Sequence, residues 1–196
     1  MAEKHNKVHP VLFDEAIGYI QDKVVADPVL SMVFDNVFGI AERTVKMIGG
    51  GRFYTPSWFI GGNDYIGLLP DDKLGNYMFF TLDEPQEVEH QQGLPNRYTC
   101  GFSVIVWLKM KGQNIDADYD RNREWVKSTI MQCLESTWMK RGWFVIDRIY
   151  ERAENIFQGF TTDEVDNQYL MQPYTGFRFH GELHITDVCV TEEVKP

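Results

Sequence analysis

The residues best placed to do chemistry lie near the end of the chain, in the segment 171–187, MQPYTGFRFHGELHITD. His180, Glu182 and His184 recur there at every second position. On a helix, histidines four residues apart would meet and could share a metal ion. On a strand, with a rise of about 3.3 Å per residue, His180 and His184 stand roughly 13 Å apart, too far for one ion. His180 and Glu182 would be about 7 Å apart between α-carbons, and two ligands do not make a site. The segment therefore reads as a solvated or subunit-facing strand surface, with Arg178, His180, Glu182 and His184 as its polar face. Paired carboxylates could move protons or hold divalent cations. Asp71-Asp72, Asp83-Glu84, Asp116 with Asp118, and Glu87 and Glu89 beside His90 are such groups. Each falls in a stretch read as loop and none has calcium-loop spacing, so they read as solvated acids.

The motifs of common catalysis do not occur. Gly49–Gly51 is a glycine run without the Lys-Ser/Thr that a phosphate-cradling loop needs, and reads as a turn. There is no GxSxG elbow, no HExxH and no zinc-type Cys/His spacing. The expectation is a protein without catalytic residues, cofactor or metal. Arg52, Arg97, Arg121 and Arg123 are scattered rather than set in a basic stripe. With a formal net charge of −10, the chain should repel phosphates and lack sequence-specific nucleic-acid recognition. Arg121 and Arg123 stand at a helix start, where the dipole disfavours cations, so each is either solvated or paired with an acid.

The elements that would position these residues follow from periodicity. Residues 1–13 read as a flexible arm. Ala16, Ile17, Ile20, Val24 and Val25 form the apolar stripe of a helix starting near Asp14 and ending at Asp27-Pro28. Val29–Phe38 is apolar and open to either a short helix or a strand. Strands are predicted at Glu42–Ile48, Ser57–Ile60, Tyr65–Leu69 and Tyr77–Leu82, with Asp83–Asn96 as an exposed loop. Tyr98–Lys111 is a clear strand, with Phe102, Val104, Val106, Leu108 and Met110 on one face. Ile105 and Trp107 on its other face predict that both sides are covered. Gly112–Asp120 is a polar connection. A helix over about Asn122–Lys140 carries Val126, Ile130, Cys133, Leu134 and Trp138, with Gly142 to stop it. Trp143–Tyr150 is a strand, 151–170 a polar excursion with room for a helical turn. In the closing strand Phe177, Phe179, Leu183 and Ile185 alternate with the polar set. This order predicts an α+β fold: an antiparallel sheet of strands of mixed length with helices packed on one face. Residues 14–190 form one domain and 191–196 a frayed end.

Composition agrees with a folded domain. The 196 residues are 43% hydrophobic and 14% aromatic, enough for a sizeable core. Most rings should fill that core, and some belong at an interface. Cys100, Cys133 and Cys189 are widely spaced, which fits buried thiols in a reducing compartment. The N-terminus MAEKHNKVHP lacks the apolar run of a signal peptide, and no apolar run approaches the roughly 20 residues of a membrane span. The expectation is a cytoplasmically made protein with no membrane partner.

The order of elements resembles the tail-completion and tail-terminator proteins at the head–tail joint of tailed bacteriophages. The resemblance rests on the opening amphipathic helix Asp14–Ala26 and the Trp-containing strand Val104–Met110 (VIVWLKM). It continues through the helix Arg123–Trp138 and the closing strand after a Pro-aromatic turn, Gln172–Ile185 (QPYTGFRFHGELHI). It covers about two thirds of the chain as a framework, not as a motif. The segment Gly49–Leu82 and the excursion Ala153–Tyr169 are additions to it. The family implies a homo-oligomeric ring, commonly a hexamer, docked on tail-tube or neck proteins. It implies no catalytic residues and a place in the virion, assembled in the host cytoplasm. The acidity would then let DNA slide through the ring. Phe53, Tyr54, Trp58 and Phe59 are candidate contact groups, with the polar face of the closing strand beside them. The alternative is a small protein-binding module that recognises a partner through residues 49–82. An enzyme with an unrecognised carboxylate or histidine site ranks last.

Overall fold

The computed structural model describes residues 2–7, 10–62, 64–84, 86–90, 95–110, 119–135, 137, 139 and 141–186. In chain order the elements are β1 (Glu3–His5), α1 (Phe13–Ala26), α2 (Leu30–Val33), β2 (Asn36–Ile40), β3 (Glu42–Ile48), β4 (Gly51–Gly61) and β5 (Asp64–Gly67). Then come β6 (Tyr77–Leu82), β7 (Glu87–Glu89), β8 (Arg97–Lys109), α3 (Tyr119–Glu135), β9 (Gly142–Tyr150), α4 (Ala153–Ile156), a 3-10 turn (Asn167–Leu170) and β10 (Tyr174–Thr186). The fold is α+β, as the periodicities predict.

The main sheet runs β1-β2-β6-β8-β10-β9, with β7 added beside β8. Its centre is the antiparallel pair β8–β10, in register along 13 residues from Tyr174↔Lys109 to Thr186↔Arg97. The expectation of an antiparallel sheet holds from β6 through β8 and β10 to β9. It is corrected at the other edge, where β1, β2 and β6 are parallel. The reason lies in the connections. The chain passes through α1 and α2 between β1 and β2, and through the small sheet between β2 and β6, so each strand re-enters in the same direction.

One face of this sheet carries the main core. Val104, Val106, Phe177, Phe179 and Leu183 are fully buried on it, against Ile17, Ile20 and Val24 of α1 and Val126, Ile130 and Leu134 of α3. Each such side chain stabilises the fold by about 1.5–3 kcal/mol relative to exposure. The alternation read along the closing strand is therefore the packing pattern. A bulge between His180 and Gly181 on the β9 side does not disturb it.

The second face is covered too, as Ile105 and Trp107 predict. Phe38, Tyr77, Phe79, Ile105 and Trp107 meet Trp58 of β4 and Ile156 and Phe157 at α4. So α1–α3 share one face, and the short α4 corrects the expectation that all helices do. At Gly176 a Cβ would lie 2.4 Å from the Trp107 ring, so only glycine lets the indole lie flat across β10. Trp107 Nε1 is buried without a hydrogen-bond partner among the described residues.

The small sheet, β3-β4-β5, is a hairpin with a third strand. Its turn uses Gly49 and Gly50 at φ 58° and 83°, the left-handed backbone that a glycine run supplies. β4 continues through Pro56, where the prediction began a strand only at Ser57. Pro56 lies one residue beyond the last β5 pairing, Ser57↔Gly67, and its carbonyl accepts from Leu68 N–H at 2.8 Å.

Other readings need correction. Within the expected arm, Glu3–His5 pair with β2, Ala2 is buried, and Lys4 is ion-paired to Asp22. Backbone pairing on an open sheet edge needs no hydrophobic periodicity, so three residues sufficed without leaving a pattern. Inside the expected loop Asp83–Asn96, Glu87–Glu89 pair with β8. The ambiguous Val29–Phe38 divides: Asp27 Oδ1 accepts from Val29 and Leu30 N–H, both at 2.9 Å, starting α2, and β2 begins at Asn36. Arg123 takes the paired option, bonding to Glu151 and donating from Nε to Thr175 Oγ1 at 3.0 Å. The connection 111–118, Trp138, Cys189 and the C-terminal residues 191–196 lie outside the described residues. Among the described residues no helix is long and apolar enough to cross a membrane.

Candidate functional site

The register of the main sheet builds a polar row on its second face. Thr81 of β6 faces Ser103 of β8, Ser103 faces His180 of β10, and His180 faces Arg148 of β9. In the next row Ile105 faces Arg178, and Arg178 faces Tyr150. Asp83 follows β6 and folds across β8. Its N–H donates to Gly101 O at 2.8 Å, and a Cβ on Gly101 would meet Asp83 Oδ2 at 2.8 Å. Opposite this floor stand Arg43 at the start of β3 and the turn Gln158–Phe160 after α4. Thr161 fastens that turn to β4, with its N–H donating to Tyr54 O at 2.8 Å. The result is a cleft of about 840 Å³.

Arg178 is the centre of the floor and only 7% exposed. Its Nε donates to Ser103 Oγ at 2.9 Å and its Nη1 to Gln158 O at 3.1 Å. Nη2 has Asp83 Oδ1 at 3.9 Å, beyond hydrogen-bond reach. Burial pulls the guanidinium pKa down from its ordinary value, against the opposing pull of Asp83 and Tyr150.

Ser103, His180 and Asp83 have the composition of a nucleophilic triad, but the geometry is not one. Ser103 Oγ and Asp83 Oδ2 both approach the same ring nitrogen, His180 Nδ1, at 3.1 and 3.7 Å. A relay needs the hydroxyl and the carboxylate on opposite nitrogens. Ser103 is also fully buried and already accepts from Arg178. Ser103 holds the arginine in place, and the trio leaves no exposed nucleophile.

The predicted interface residues divide. Trp58 is 6% exposed and packs on Phe38 across the gap between the two sheets, so it is withdrawn as a contact group. Arg178 is likewise withdrawn, since it is buried within the subunit. Phe53 and Tyr54 are half-buried, Tyr54 lying under the Arg43 guanidinium at 3.9 Å. Phe59 is exposed and packs on exposed Tyr65. His180 and His184 are half-buried and Glu182 is exposed. His184 stacks on Trp143 at 4.8 Å, and its Nδ1 bonds to Thr99 Oγ1 at 3.0 Å. No set of three His, Cys, Asp or Glu among the described residues could share a metal ion.

Sequence reasoning missed a second surface. β9 is the last strand of its sheet, paired only with β10 among the described strands. Trp143, Val145 and Ile149 on it are exposed, interrupted by the exposed charges of Asp147 and Arg148. On the small sheet Val45 and Met47 are exposed as well, at the outer end of the β3–β4 hairpin. The alternation of Trp143, Val145 and Asp147 was visible in the sequence, but edge position is not. Asp83 looks in the sequence like a solvated loop acid, yet it is brought to a cation inside the cleft. Only the strand order sets it beside Arg178.

No protein-family model matches the chain, and no curated protein matches it.

Proposed function

We propose that this protein is a non-enzymatic assembly component of a tailed phage or prophage, forming a homo-oligomeric ring at the head–tail joint or tail end. The observation that carries the assembly reading is the β9 edge. A nine-residue strand with one backbone side unpaired among the described residues and with exposed Trp143, Val145 and Ile149 is a template for another chain. The β3–β4 hairpin, with Val45 and Met47 exposed, offers a second contact of the same chemistry. Two unlike contacts of this kind, one from each sheet, give a head-to-tail interface, which forms a ring where the rotation between subunits closes. The net charge of −10 suits a channel that must pass DNA without holding it. The absence of an exposed nucleophile at the Ser103–His180 pair favours this reading over hydrolysis.

Solution mass by light scattering over a range of concentrations tests it. Association of the wild-type chain, lost in Val145→Lys/Ile149→Lys with unchanged melting temperature, supports the reading. A wild-type chain that stays monomeric at every concentration and does not cross-link through β9 on isolated tail tubes overturns it. A partner captured through Phe59 and Tyr65 by a chain that never self-associates would favour the binding-module alternative.

A further inference from the structure

We propose that the cleft over β8, β9 and β10 binds a small phosphate-bearing molecule, with Arg178, Arg148 and Arg43 as its anion receptors. The inference does not depend on the assembly reading.

The charge distribution is the first ground. The chain as a whole carries −10, yet three arginines line this cleft against two carboxylates, Asp83 and Glu84. His180 adds a further nitrogen on the same floor. A cationic hollow in an acidic protein must be held open against the pull of the other carboxylates. Local contacts hold each arginine. Arg43 lies over the Tyr54 ring, Arg148 stands 3.7 Å from Asp147, and Arg178 is tied to Ser103 and to the Gln158 carbonyl. None of the three is bonded bidentately to a carboxylate in the described geometry.

Arg178 is the second ground. It is buried in the domain, with Nε and Nη1 occupied by neutral acceptors and Nη2 short of hydrogen-bond reach to Asp83. A buried guanidinium with free donor capacity beside a cavity is poised for an oxyanion.

The ligand class follows from the layout. Arg148 and Arg178 come from the adjacent strands β9 and β10 of the floor and Arg43 from β3 of the other sheet, so the cavity is offered donors by both sheets. A tetrahedral phosphate has oxygens for all of them, whereas a planar carboxylate engages one guanidinium edge well. The volume of about 840 Å³ exceeds what inorganic phosphate fills and falls within the range of small-molecule sites. Phe160 and Tyr150 on the walls supply apolar surface for an organic moiety.

The test is differential scanning fluorimetry and titration calorimetry with inorganic phosphate, repeated with glycerol phosphate, against sodium chloride at matched ionic strength. The expected result is a saturable rise in melting temperature with phosphate and none with chloride. Tighter binding of glycerol phosphate identifies an organic phosphate as the occupant. Equal or weaker binding identifies the free anion. Arg43→Gln and Arg148→Gln change exposed side chains and should each lower the ligand-free melting temperature by no more than about 2–4 °C. Each should weaken phosphate binding by about tenfold. Arg178→Lys keeps the charge but loses the planar fork, and should weaken it further. A shift matched by chloride, or one that persists undiminished in Arg43→Gln/Arg148→Gln, overturns the proposal.

Discussion

Replacing Gly181 by alanine should loosen β9 from the sheet. Gly181 lies at the bulge where β10 faces Ile146 of β9 and Phe102 of β8. A Cβ there would sit 1.8 Å from Val145 O, 2.8 Å from its carbonyl carbon and 2.9 Å from Ile146 Cα. All three are backbone atoms, so no side-chain rotation relieves the contact. A carbon–oxygen approach needs about 3.3 Å, so β9 must retreat by about 1.5 Å. Overpacking of this kind costs about 1–3 kcal/mol, and each ladder hydrogen bond stretched by the retreat adds about 1 kcal/mol. With two such bonds the loss is about 3–5 kcal/mol. At a urea dependence of about 2 kcal/mol per molar, the unfolding midpoint falls by about 2 M. Urea titration followed by tryptophan fluorescence reads this. Gly67→Ala is the control: nothing lies within 4 Å of its Cβ, so its stability should move by no more than about 0.5 kcal/mol. A Gly181→Ala midpoint equal to that of Gly67→Ala would refute the close approach of the two strands.

Three further outcomes are expected. Asp27→Ala removes the acceptor for two N–H groups at the start of α2 and should lower stability by about 1 kcal/mol in thermal denaturation. Burial pushes the Cys100 and Cys133 thiols up to about 11, with Asp83 adding at Cys100, and pushes the Tyr77 phenol well above its ordinary range. The folded state thus retains protons that the unfolded chain releases. Its stability should hold below about pH 8.5 and fall as the pH rises towards 11, and a flat profile of urea midpoints would contradict this. At Glu151 burial raises the carboxyl pKa, but bonding to Lys127 and Arg123 outweighs it and the net shift is downward. That contribution is present above the ordinary carboxylate range and lost as pH falls through the folded value, so Glu151→Gln should flatten the acid limb of the stability profile.

Much of the framework was legible because its signals are local. Glu42–Ile48 and Tyr77–Leu82 are strands with the predicted ends, and the alternation in β8 and β10 marks the buried face residue by residue. The stripe Ala16, Ile17, Ile20 and Val24 is the buried side of α1. Where the reading failed, the cause was a partner far along the chain. Glu3–His5 became a strand because β2 offers an edge 33 residues on, as in the pairing Glu3↔Asn36. Trp58 looked like a surface aromatic in a Gly/Pro-rich segment, yet the fold lays it against Gly39, where a Cβ would meet its ring at 3.0 Å.

The candidate cleft was the least legible part. Alternation marks Arg178 and His180 as a wet strand face, whereas they form the floor of a cavity. Ser103, Arg148, Arg43 and Asp83 carry no shared spacing and are spread over more than a hundred positions; the register of β6, β8, β10 and β9 gathers the first, second and last, and the small sheet brings Arg43 to the same cleft. The alternation of side chains along one strand is a property of its own backbone, so the sequence determined which residues of this chain face together and that its class is α+β. Which strand lies beside which depends on long-range pairing energies that no short window contains. Only the tertiary structure could therefore decide that β9 forms an edge and that arginines from three strands line one hollow.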